Sequence, residues 1–89
     1  MLFNWDDIRD RVWAWAERHG YRTLQRVVLR LDTVVGSAKK QFRLFATPQE
    51  TLQPMLIEER LVDESELPPD IREQLASRKR VEMDITERL

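Results

Sequence analysis

Two short runs near the middle of the chain alternate apolar and polar side chains, with a glycine between them. Val27, Leu29 and Leu31 occupy every second position of the first run, Phe42 and Leu44 do the same in the second, and Gly36-Ser37 lies between. Successive side chains of an extended strand point to opposite faces, so this spacing builds a sheet with one apolar face, and two such runs joined at a turn form a β-hairpin. Spacing alone leaves the first run open. Leu24, Val27, Val28, Leu31 and Val35 also satisfy the i, i+3, i+4 rule of a helix, which makes an all-α bundle the alternative fold. The β-branched content and the following turn favour strands over residues 23–35 and 40–46.

The flanking segments read as helices. Asn4 suits an N-cap, Asp6 and Asp7 fall where the helix dipole favours acids, and Gly20 stands where a helix would end. This predicts a helix over residues 5–19 whose inward stripe is Trp5, Ile8, Val12, Trp15 and Ala16. Thr47-Pro48-Gln49-Glu50 has the form of a capping box with proline at the first helical position. Pro54 interrupts the segment beyond it, predicting a kink, or a short turn and then a second helix from Pro54 to Leu61. Asp63 to Leu67 reads as an acidic loop, and Pro68-Pro69-Asp70 opens a helix to about Arg78 with Ile71 and Leu75 inward. Val81, Met83 and Ile85 alternate with Glu82, Asp84 and Thr86 as a final half-buried strand. The expected order is α-β-β-α-α-β: an α+β, two-layer domain over residues 1–89, with a small antiparallel sheet of hairpin and C-terminal strand packed by helices.

Composition narrows the chemistry. A chain of 89 residues suits one domain with a modest core and no deep cleft. No apolar run approaches the roughly 20 residues of a membrane span, and the N-terminal residues are acidic where a signal peptide is basic, so a cytoplasmic protein with no membrane partner is expected. Without cysteine, stability has to come from packing, which self-association would assist. His19 is the one histidine and lies at a helix end, where capping accounts for it. Ser37, Ser65 and Ser77 lack a nucleophile-elbow context, two glycines cannot assemble a phosphate cradle, and the acidic cluster lacks the spacing of a calcium loop. No catalytic, cofactor or metal site is assigned, and the expectation is a protein that is not an enzyme.

Charge is segregated along the chain. Between residues 21 and 46, Arg22, Arg26, Arg30, Lys39, Lys40 and Arg43 face only Asp32, whereas between 47 and 70 Arg60 stands against seven acids. This segregation suggests three surfaces. On the hairpin, Arg26, Arg30, Arg43 and Phe45 project opposite the apolar face, a cation-and-ring pattern suited to single-stranded nucleic acid. Glu82 and Asp84 of the last strand would neutralise these arginines if they lay beside them, and the sequence pI of about 5.8 also weighs against nucleic acid. Trp13 falls outside the helix stripe, near Arg9, and with Phe3 could form an apolar contact patch. Glu58, Glu59, Asp63, Glu64 and Glu66 could dock a basic partner or the basic hairpin of a second copy. The functional expectation is a small protein-binding module of adaptor, accessory or inhibitor type, able to form a homodimer, with nucleic-acid binding as the alternative.

Overall fold

A computed structural model describes residues 4–89; Phe3 lies outside the described residues. The first helix, α1 (Trp5–Arg18), starts where the Asn4 side chain accepts from the Asp6 N–H at 2.9 Å. It ends as the chain passes His19 and enters the left-handed region at Gly20 (φ 78°), a conformation that costs glycine nothing sterically. Ile8, Val12 and Ala16 are buried, flanked by half-buried Trp5 and Trp15, which is the expected stripe.

The hairpin forms as β1 (Leu24–Thr33) and β2 (Lys39–Pro48), antiparallel, with Leu29 opposite Leu44 and Leu31 opposite Phe42. Gly36 (φ 76°) makes the turn. After β3 (Met55–Asp63), a 3-10 turn (Glu64–Glu66) and the second helix α2 (Pro69–Ser77), the chain returns as β4 (Arg80–Asp84), antiparallel to β1. A last 3-10 turn, Thr86–Arg88, closes the described chain. The sheet order is β3-β2-β1-β4. The result is the expected α+β, two-layer fold with an antiparallel sheet of hairpin and C-terminal strand.

One face of the sheet carries the core. Val27, Leu29, Leu31, Phe42, Leu44 and Ala46 are all buried, joined by Val81 from β4 and Val62 from β3. They form one cluster with the apolar residues of α1 and with Ile71 and Leu75 of α2, so both helices lie on this side.

The sequence reading and the structure differ in one segment. Of the segment expected to be helical from Pro54 to Leu61, residues 55–61 belong to strand β3. The capping-box residues do begin a helical turn, in which the Leu52 N–H reaches the Pro48 carbonyl at 2.8 Å, but Pro54 prevents its extension. Thr47 and Pro48 themselves finish β2. Beyond Pro54 the chain satisfies its backbone polar groups against the long edge of β2, with Arg43 opposite Glu59 and Phe42 opposite Arg60. An extra residue between the pairs Leu44–Glu58 and Phe45–Leu56 makes a bulge, which brings Ile57 onto the core side while Leu56 points away.

This register turns Glu58 and Arg60 toward the helix layer. Arg11 of α1 meets Glu58 with both sides of its guanidinium, Nε to Oε1 at 2.9 Å and Nη2 to Oε2 at 3.1 Å, and Arg60 lies 3.8 Å from the same carboxylate. The Arg60 guanidinium also covers the Phe42 ring at 5.7 Å. Removing the carboxylate leaves two partly covered guanidinium groups short of a partner. Glu58→Ala is therefore expected to cost about 1–3 kcal/mol in urea unfolding, against less than about 0.5 kcal/mol for the exposed Glu64→Ala.

Candidate interaction surface

Among the described residues helices cover one side of the sheet only, and the strands display their alternate residues on the other. The register sorts this outer face into rows that cross the strands. The first is apolar over three strands, with Val28 of β1, Phe45 of β2 and Leu56 of β3 directly opposite one another, and ends on Asp84 of β4. The second is charged, running Glu82, Arg30, Arg43, Glu59 from β4 to β3. In the third, Arg80, Asp32 and Gln41 are followed by Leu61, and at the far end Lys39 faces Asp63.

Like charges directly opposite each other destabilise a sheet, and Arg30 sits opposite Arg43. Carboxylates on the neighbouring strands compensate. Glu82 lies 3.2 Å from Arg30, Glu59 pairs with Arg43, and Asp32 accepts from Arg80 Nε at 2.6 Å and from Arg43 Nη1 at 3.3 Å. The Asp32 side chain is only 18% exposed, so it joins β4, β1 and β2 from a partly sheltered position. Arg26 pairs with Asp84 at 3.4 Å, and the Arg30 guanidinium lies over Phe45 at 4.7 Å. Thus the two carboxylates named from sequence, Glu82 and Asp84, do stand beside the basic hairpin.

Three leucines in and beside β3 are exposed. Leu52, Leu56 and Leu61 are 59%, 50% and 53% exposed. Leu52 has φ 55°, a left-handed conformation that costs a branched-chain residue on the order of 1–2 kcal/mol. Two shallow depressions share Arg26, Thr47 and Pro54 as lining residues. The larger, about 820 Å³, is open and lies between Leu52 and the Thr86–Glu87 turn, and the smaller, about 230 Å³, lies over Val28 and Phe45.

The other residues singled out from sequence are dispersed. Trp13 is half-buried and packs against the core, while Arg9 bridges Asp6 at 3.6 Å and Asp10 at 3.8 Å on the same helix. The acidic stretch divides. Glu58 and Glu59 are bound to Arg11 and Arg43, and Glu66 accepts from the Asp63 N–H at 2.8 Å, leaving the Asp63 and Glu64 side chains at the surface of the 3-10 turn. His19 Nδ1 lies 2.9 Å from the Trp15 carbonyl, and its ring stacks on Tyr21, which is the capping arrangement expected. Among the described residues no three His, Asp or Glu side chains converge as a metal site, and no helix is long and apolar enough to cross a membrane.

Sequence reasoning missed Leu52, Leu56 and Leu61. Two signals were available: Pro54, which forbids a continuous helix, and the Leu56, Glu59, Leu61 pattern, which matches one face of a bulged strand better than one stripe of a helix. Comparison with protein-family models, with curated proteins and with solved structures finds no match to this chain.

The Asp84 carboxyl is held below its usual range, first by hydrogen bonds from the Thr86 hydroxyl and N–H and then by Arg26. A carboxyl depressed by folding stabilises above its unfolded pKa, near 4, and loses that contribution as pH falls through the lower folded value. Asp84→Asn, which keeps an acceptor for Thr86 but cannot ionise, is expected to shrink the loss of thermal stability as pH falls below about 4 relative to the parent chain.

Proposed function

We propose that this protein is a small interaction module of adaptor or inhibitor type, working in the cytoplasm, whose open sheet face receives another protein. The observation that carries this reading is half-exposed Leu56, in one row with Phe45 and Val28 on a face that no described helix covers, with half-exposed Leu61 beyond the charged row. Exposed apolar side chains rimmed by polar ones in this way mark protein interfaces. Leu52 supports it, because a strained, outward-held leucine is tolerated where its side chain has a use that glycine cannot serve. The surrounding rows of paired charge supply orientation and exclude wrong partners more than they add affinity.

Nucleic acid is the second reading. Arg26, Arg30, Arg43 and Phe45 share one face, with an arginine over the ring. Each guanidinium already has a carboxylate partner, so a phosphate has to displace Asp84, Glu82, Asp32 or Glu59 before it binds. Protein is therefore preferred over nucleic acid as the partner class.

Affinity capture with the parent chain and with Leu56→Asp tests the reading. Leu56 is half-exposed and outside the core, so the variant is expected to keep its far-UV circular dichroism and to melt within a few degrees of the parent, while losing captured protein at least tenfold. Equal capture by the two chains, or retention on a single-stranded oligonucleotide that falls steeply with salt, overturns it. Leu52→Gly removes the backbone strain together with the side chain, and is expected to change stability by less than about 1 kcal/mol while weakening capture.

A further inference from the structure

We propose that the occupant of this face is a second copy of the chain, the two sheets packing face to face about a two-fold axis that runs parallel to the strands, between β2 and β3. This rests on the reading of the open face as a docking surface and adds the partner.

The register carries it. On the outer face the directly opposed pairs of β2 and β3 are Phe45 with Leu56, Arg43 with Glu59, Gln41 with Leu61, and Lys39 with Asp63. A two-fold axis parallel to the strands keeps every row at its own level and exchanges the strands, so that β2 of one copy lies over β3 of the other. Each row then meets a complement. Phe45 lands on the partner's Leu56, Arg43 on the partner's Glu59, and Lys39 on the partner's Asp63, and each contact occurs twice, as an isologous interface requires. Leu61 comes over an amide, Gln41, with no charge beneath it.

Two other two-fold arrangements of the same face oppose like charges. An axis lying along β2 puts Arg43 on the partner's Arg43, and an axis crossing the strands at the second row sets Arg43 on Arg43 and Glu59 on Glu59. Like charges brought together in this way are disfavoured. Pairing edge to edge through β3 is also opposed, because the bulge and the inward-turned Glu58 and Arg60 are features that blunt a free edge. Aligned stacking about 10 Å apart is a usual way for two sheets to bury their faces.

Two strands of this length present a patch of roughly 10 Å by 30 Å, about 600 Å² over both copies, which is well below the standard size and sets the dimer among weak, transient associations. The expected dimer is therefore weak, and its population depends on protein concentration.

Sedimentation equilibrium from about 10 µM to 1 mM reads this directly. The weight-average mass is expected to rise from the monomer value of 10.7 kDa toward twice that value, and Leu56→Asp is expected to hold it at the monomer with unchanged circular dichroism. Charge exchange then tests the geometry. Arg43→Glu and Glu59→Lys are each expected to associate at least tenfold more weakly than the parent, because their homodimers oppose like charges. An equimolar mixture is expected to recover association to within about threefold, because both cross-contacts in the mixed dimer are then opposite in sign. Should Arg43→Glu unfold beside Asp32, the exposed pair Lys39→Glu and Asp63→Lys gives the same test at another row. A mass of one chain at every concentration, or a mixture no better than its components, overturns the self-docking. If the monomeric protein still captures another protein that Leu56→Asp does not, the self-docking alone has failed; if it captures none, the module reading has failed with it.

Discussion

A sheet covered by helices on one side places opposite demands on a single set of strands: alternate residues must be apolar enough to hold the core and polar enough to face water. In this protein the inner residues of β1 and β2 meet the first demand with six fully buried apolar side chains. Across-strand charge meets the second. Asp32 accepts from Arg80 on one neighbouring strand and from Arg43 on the other, and Arg43 continues to Glu59, so one line of ionic contacts spans all four strands. The line neutralises Arg43, and Glu82 neutralises Arg30, the two arginines that the hairpin register forces opposite each other. Exposed pairs of this kind contribute little one by one, and their effect lies in fixing which strands are neighbours and in what register.

The edge strand β3 shows the same constraint in a different form. Its inner face carries Glu58 and Arg60 where a central strand would carry apolar residues, and α1 accommodates them by sending Arg11 to the carboxylate while Phe42 supports the second guanidinium. Inward charge at an edge discourages another strand from adding there. What remains open is the flat outer surface, with Leu56, Leu61 and Phe45 between rows of paired charge. The apolar part of that surface and its charged part come from the same alternation, which is why the face is both water-compatible and able to pack.

Legibility in the sequence followed the range of the interactions. Helix α1 was readable from Asn4, its acidic first turn and its apolar stripe, because capping and periodicity are local. The hairpin and β4 were readable from period-2 alternation, and the neutralisation of Arg26 and Arg30 by Asp84 and Glu82 was anticipated from the outward positions of those acids. Strand β3 was not readable in the same way. Thr47-Pro48-Gln49-Glu50 is a sound local helix start that makes only one turn, and the segment after Pro54 has an edge-strand pattern, charged inside and leucine outside, that inverts the usual rule. The exposed leucines of the candidate face were missed for that reason. Trp13, off the helix stripe and read from sequence as part of a contact patch, is half-buried against the core once the fold packs around it.

The sequence by itself determined the class of fold, the two helices, the hairpin and its added strand, because turn chemistry and side-chain periodicity act over a few residues and do not depend on the rest of the chain. It also determined which charges of β1, β2 and β4 point away from the core. Only the tertiary structure decided what those charges meet. Whether Arg43 faces water or Glu59, and whether residues 55–63 wind into a helix or extend along β2, depends on backbone hydrogen bonds and ion pairs between segments distant in the chain. Those contacts favour the strand because β2 offers a long unpaired edge that a helix would leave unsatisfied.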